Sequence, residues 1–443
     1  MEILFLLLSI FFIIVFFVLD NKEWPDFSID LWVPFLWLTI SSTRILSIFF
    51  PLKETYDSLT QNQYLEGNIY NRIIFSSLIL VGLLIISLRM KRLKSIPKAN
   101  IWLIILYLFA LMSIFWSIYQ FVSLKRWIMI MGHFVMVIII LMKEDYIKAI
   151  EHVLRRYFSV IVVFSVLVLR YFKDIGFQRT VHGTKVWAGI MTHKNELGPV
   201  CAFAIIFVLW RLFKKDRKNL VFDSFLLLLS LYLMTRAGSA SSIIILFLGA
   251  ILLFLFYIFS YSFKKIKIIA FLLTVLIIIP LLWQASLNKA VSPILLVLGR
   301  ESSLTGRVPL WTDLIKIANK KWMFGSGFEN FWLVNFSIIW QKYSFRPNNA
   351  HNGYIEIYLN LGITGLCILI ILLFVNLSKL VKQLEKERNV YVLIFIYFLM
   401  VLINNISEAF FFKTNLEWFI VIVASFVGGR ELEVVNREEG YRG

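Results

Sequence analysis

The sequence predicts an all-α chain that crosses a membrane about twelve or thirteen times and carries one large loop on one side. Three observations point there. Of 443 residues, 60% are hydrophobic and 16% are charged, and mean hydropathy is +0.80; a soluble domain is about half apolar and about a quarter charged. The apolar residues are gathered in blocks of the length a helix needs to cross about 30 Å of hydrocarbon. Basic residues cluster between alternate blocks, as the positive-inside rule expects.

Taken in order, the candidate spans are roughly 2–19, 31–50, 71–88, 100–119, 124–142, 153–171, 196–213, 220–235, 240–259, 266–283, 352–377, 390–407 and 412–429. The first and last are the weakest, so twelve is the other count. The first block, from Glu2 to Leu19, has no basic flank before it and no small-residue cleavage signal before Asp20. It reads as a retained span rather than a signal peptide. The chain then divides into an N-terminal bundle (1–283), a large loop (284–351), C-terminal helices (352–429) and a short tail (430–443), all within one membrane domain.

Orientation follows from Lys and Arg. The clusters Arg89–Lys98, Lys143–Arg156, Arg211–Lys218, Lys264–Lys267 and Lys379–Arg388, with Arg430 and Arg437, all fall on one side without frustrating a helix. That side is the cytoplasm. The same distribution excludes a nucleic-acid partner, because the net charge of +18 is spread between spans and not gathered on one soluble face. Fourteen Trp and seventeen Tyr suit interfacial belts and packing between helices. Cys201 and Cys367 both lie inside apolar blocks, which excludes a disulfide framework or a thiolate metal site.

Four connections fall on the other side: about 172–195, Thr235–Ser239, the loop 284–351 and 408–415. This outer face nevertheless holds Arg126, Arg179, Lys185, Lys194, Arg236, Arg300, Arg307 and Arg346. Isolated cations are tolerated in long outer loops. Cations within motifs favour an anionic ligand. In the large loop, Pro309 to Trp322 reads as an amphipathic helix, with Leu310, Trp311, Leu314, Ile315, Ala318 and Trp322 on one face. Such a helix lies on a membrane surface or serves as a lid on the bundle.

Five motifs could carry chemistry. In AHNGYIEIYLNLGITGL (350–366), Asn348 and Asn349 are candidate caps and His351 sits at the first turn of a helix. The positive end of the dipole disfavours a second positive charge there, and a neutral imidazole can act as a general base towards a hydroxyl. The bland alternative is an interfacial histidine. GRESSLTGRVPLW (299–311) places Arg300 and Arg307 among glycines and hydroxyls, which suits phosphate oxygens or an ordinary polar turn. TRAGSASS (235–242) sets Arg236 at a membrane boundary, beside small residues that allow close helix packing. WAGIMTHKNELG (187–198) offers Lys194 as a phosphate ligand and Asn195 as a cap. FGSGFENFW (324–332) reads as a turn beneath the loop, without chemistry of its own. Metal-ligand spacings such as Asp-x-Asp or His-x-His, nucleophile elbows and phosphate-binding loops are absent from the sequence, so no cofactor is expected.

Together, THKN, TRAGS, GR-x-S-x-LTGR-x-x-LW and HN-x-Y-x-E-x-x-x-x-LG-x-x-GL resemble the O-antigen ligase and polymerase superfamily. That group includes WaaL-type ligases, Wzy-type polymerases and ExoQ-like exopolysaccharide polymerases. The resemblance covers about residues 185–370 by motif. It implies a GT-C-like, metal-independent glycosyltransferase of the bacterial inner membrane, taking its glycan from undecaprenyl diphosphate at the periplasmic face. His351 then matches the base that activates the acceptor hydroxyl. Arg236, Arg300 and Arg307, and less closely Lys194, match the groups that hold the diphosphate. The wording of THKN and LTGR is nearer to the exopolysaccharide polymerases, whose acceptor is another lipid-linked repeat. A ligase would use lipid A–core as acceptor, and a protein-glycosylating relative is a third choice. A chain-length regulator and a flippase are the expected partner proteins. From a different class, a lipid-linked glycan flippase or transporter fits the composition, but the charged motifs gather at one face and no repeat is visible.

Overall fold

The computed structural model describes residues 28–46, 69–179, 185–214, 220–258, 307–343, 345–386 and 388–427, with a few positions between 11 and 18. The expected span at 266–283 and Arg300 lie outside the described residues, as does most of the first expected span.

Eleven of the thirteen expected spans appear as helices: α1 (Trp32–Ser41), α2 (Ile69–Leu88), α3 (Ile101–Met112), α4 (Gln120–Leu141), α5 (Tyr146–Tyr171), α6 (Lys194–Phe213), α7 (Leu220–Ala237), α8 (Ala240–Ile258), and, after the loop, α11 (Gly353–Lys386), α12 (Arg388–Ser407) and α13 (Leu416–Val427). Seven of these are long and apolar enough to cross a membrane, and four are shorter. The chain is an all-α, multi-pass membrane protein. The large loop holds α9 (Arg307–Ala318) and α10 (Phe331–Lys342). The expected amphipathic helix is therefore present, and its apolar residues Leu310, Trp311, Leu314 and Ala318 pack on the start of α11. The second loop helix, α10, joins the same cluster through Phe331, Trp332 and Ile339.

Burial sorts the helices. Along α5 and α6, 89% and 78% of the apolar window is buried, and the two run through the centre of the bundle. In α2 only 11% is buried, so its apolar surface faces outward, where hydrocarbon would cover it. The bundle closes through α6 on α7 and α8, α11 on α3 and α12, and α12 on α8. Gly198 lets α6 approach Ser239 and Ser242 at the start of α8, with no room for a Cβ. That close approach is the packing role anticipated for the small residues of TRAGSASS.

Two local features depart from the expected pattern. Residues 146–152 belong to α5, so the Lys143–Arg156 cluster is not an exposed loop: Arg155 and Arg156 are fully buried in the third turn. Arg155 lies 3.6 Å from Asp223, Arg211 lies 3.0 Å from Asp223 and 3.4 Å from Glu151, and Lys214 reaches Glu151 at 3.2 Å. The span expected at 352–377 is broken at Gly362 (φ 66°, ψ −167°). The turn 322–327 docks on the break. Trp322 and Met323 accept hydrogen bonds from the Ile363 and Thr364 amides at 2.8 and 3.2 Å, and the Gly327 amide donates to Asn360 at 2.8 Å. A Cβ on Gly325 would collide with the Asn360 backbone. The pair of glycines in the turn and the break is thus what lets two backbones touch.

Candidate functional site

A cavity of about 580 Å³ opens at the end of the bundle opposite Arg155 and Arg211. Its wall draws on the end of α1 (Ser42), the first turns of α4 (Arg126) and α6 (His193, Lys194, Asn195), the turn before α10 (Glu329), the approach to α11 (Asn349, His351) and the connection from α12 to α13 (Glu408, Lys413).

His351 stands just before α11 in a left-handed conformation (φ 47°), which is rare for a side chain other than glycine. Its backbone amide donates to Asn349 Oδ1 at 2.8 Å. Asn352, not Asn348 or Asn349, is the residue that caps α11, accepting from the Tyr354 and Ile355 amides at 3.0 Å each. The imidazole Nδ1 lies 3.2 Å from Glu408 Oε2. The other carboxylate oxygen of Glu408 receives Arg307 Nη2 at 2.8 Å and Asn195 Nδ2 at 2.7 Å. Burial raises the Glu408 carboxyl, but the hydrogen bond from His351 and the charge of Arg307 outweigh it and hold the group below its ordinary range.

A second ionic group lines the same space. Glu329, also left-handed (φ 52°), bridges Lys413 at 2.7 Å and Arg126 at 3.5 Å. Arg126 additionally donates to the Glu329 carbonyl at 3.0 Å. Burial acts against both charges, yet the two cations hold the Glu329 carboxyl low and the acids beside Lys413 hold its ammonium high, so both stay ionised. The connection bearing Lys413 is fixed by Asn405, whose Oδ1 accepts from the Phe410 and Phe411 amides at 2.9 Å each. His193 N-caps α6 with its backbone. Burial and the neighbouring His351 push its imidazole below the ordinary value.

Two unusual backbone conformations and two shared carboxylates around one cavity mark a built site, since strain of this kind persists where the surroundings impose it. Residues 225–370 match the O-antigen ligase family. Over 302 residues the chain is 24% identical to the exopolysaccharide production protein ExoQ of Rhizobium meliloti (strain 1021), covering 65% of this chain and 67% of that protein. These two similarities support the O-antigen ligase and polymerase superfamily. No solved structure matches the chain.

Three of the five residues singled out by sequence come together. His351 and Lys194 line the cavity, and Arg307 meets His351 through Glu408. Arg236 is not among the lining residues. Its guanidinium lies 5.6 Å from the ring centres of Trp187 and Tyr232; Val186, next to Trp187 in the chain, does line the cavity. Asn195 is not the cap of α6. It sits in the first turn and reaches Glu408, while Glu196 accepts from the Thr192 amide at 2.9 Å. Sequence reasoning named Arg126 only as an outer-face cation, and it missed Glu329, Glu408 and Lys413. FGSGFENFW, read as a turn without chemistry, does form a turn, but it places Glu329 in the cavity wall. The available signal was an acid and a base within the short outer connection 408–415, where a charge close to a bilayer is costly without a use.

Proposed function

We propose that this chain is a metal-independent glycosyltransferase that extends a cell-surface polysaccharide. It takes glycan from an undecaprenyl-diphosphate donor at the periplasmic face of the bacterial inner membrane. The observation that carries the reading is His351 facing the same cavity as Lys194, with a carboxylate behind the imidazole. The acceptor hydroxyl oxygen attacks the anomeric carbon as its proton passes to His351. The bond from that carbon to the diphosphate oxygen breaks, and its electron pair leaves on the diphosphate. Lys194 meets that charge inside the cavity. This reading also assigns Arg236, beside Trp187 and Tyr232, and Arg300, outside the described residues, to the diphosphate, and Arg307 adds its charge behind the imidazole. Fixed cations and donors of this kind lower the barrier because they need no reorganisation during the reaction. A single displacement inverts the anomeric configuration.

The stretches 1–283, 284–351 and 352–429 act as one membrane domain in this reading, because each contributes to the cavity wall. The basic residues at Arg89–Lys98, Lys143–Lys148 and Arg211 lie at helix ends away from the cavity, which supports a periplasmic opening. The polysaccharide production role in the name of the R. meliloti relative supports a polymerase. The ligase description of the matched family supports transfer to lipid A–core as the second reading.

Deleting the coding sequence and resolving the glycans on a gel separates the possibilities. Single repeat units on the outer face are the expected result. Full-length polymer stranded on its carrier would assign the ligase instead. Precursors trapped on the cytoplasmic side would replace both with a flippase.

A further inference from the structure

Glu408 is the most connected side chain of the cavity, and neither the motifs nor the matched family region, which ends at residue 370, includes it. We propose that Glu408 is the positioning residue of His351: it accepts the Nδ1 proton, fixes one tautomer, and leaves Nε2 as the nitrogen that faces the cavity and takes the acceptor's proton. The inference deepens the transferase reading and rests on it.

The hydrogen-bond inventory decides the tautomer. Arg307 can only donate, and the Asn195 amide nitrogen donates as well; both are directed to Oε1 of Glu408. Arg307 also donates to the Ser407 carbonyl, so its fork is anchored at two points of the α12 end. The remaining oxygen, Oε2, meets His351 Nδ1. The neighbouring charges keep the carboxylate ionised, and it has no proton to give. Nδ1 must therefore carry the hydrogen. Among the described residues no hydrogen bond engages Nε2. Four segments converge on one carboxylate: α6, α9, the approach to α11 and the end of α12. The ring is thereby held from the side away from the substrate. When Nε2 gains the acceptor's proton, the imidazolium forms against an existing negative charge. On this account Arg307 acts through Glu408, and its contribution to the diphosphate is indirect.

The test uses the full-length protein in detergent, labelled with ¹⁵N-histidine. The His351 signal is identified by its loss in His351→Gln, and glycans are read in the deletion strain carrying each variant. Wild type should show Nδ1 protonated. In Glu408→Gln, the amide oxygen is claimed by Arg307 and Asn195, so the NH₂ group turns to His351. The proton is then forced onto Nε2, and polymer growth falls at least about 100-fold. Glu408→Ala should show a mixture of tautomers; if it fails to fold, the isosteric Gln variant still carries the test. An unchanged Nδ1-protonated ring in Glu408→Gln would overturn the proposal, even if growth is lost, because Glu408 would then be a structural residue. An inverted tautomer with normal growth would uphold the positioning and overturn the base role of His351.

Discussion

Two clusters of arginines and carboxylates stand at opposite ends of one bundle, and they differ in how far they are closed. Away from the cavity, the side chains of Arg155, Arg211, Glu151 and Asp223 are all 4% exposed or less. At the cavity, Glu408 is nearly as buried at 7%, but its partners Arg307 and His351 are 19% and 27% exposed. The chemistry of the pairs is the same. In the closed cluster every charge is committed to another helix, so its work is to hold α5, α6 and α7 together. In the open cluster the buried carboxylate is a fixed anchor, and His351 keeps one side towards the cavity.

This contrast predicts opposite phenotypes. Asp223→Ala leaves Arg211 and Arg155 short of a partner in a dry setting, and should cost about 3–5 kcal/mol. Thermal melting in detergent should show it as a large loss of stability, and an unchanged melting curve would break the comparison. His351→Ala should do the reverse: wild-type yield and melting, with polymer growth down by about 10²–10⁴-fold. Normal glycan from that variant would remove the base from the site. Arg236→Lys keeps a charge but loses the planar group over Trp187 and Tyr232, and should lower growth by about tenfold. Wild-type turnover there would show that this position needs only a charge.

The smallest effect is on pH. The folded carboxyls of Glu408 and Glu329 are depressed relative to the unfolded chain. Their stabilisation is thus fully present above the ordinary glutamate value of about 4.3 and fades only as pH falls through the depressed values. A melting curve should be flat from neutral pH down to mildly acidic conditions and drop below. Glu408→Gln should shrink the drop, and an undiminished drop would locate it elsewhere.

The spans were legible because hydropathy records burial in lipid or protein directly, and eleven of the thirteen expected segments are helices among the described residues. His351, Lys194 and Arg307 were legible because each sits in a motif of small and polar residues at a helix start. Glu408 and Lys413 were not, because they lie between apolar residues in a short connection and gain meaning only when α12 returns to meet α6 and α9. Arg155 and Arg156 were misread for the opposite reason. A basic run beside a span looks like a topology signal, and only the partners on α6 and α7 show that part of it is internal.

The interruption of α11 at Gly362 makes that element a jointed lever. Its short arm, 353–361, begins two residues after His351, and its long arm runs on through the apolar window. At the joint, the Ile363 and Thr364 amides are bonded to the turn at Trp322 and Met323 instead of to their own helix. The same turn leads within a few residues to Glu329. Any tilt of the long arm, as a thicker or thinner bilayer would impose, therefore drags on the carboxylate between Arg126 and Lys413. The joint is thus the route by which bilayer thickness would act on the shape of the cavity.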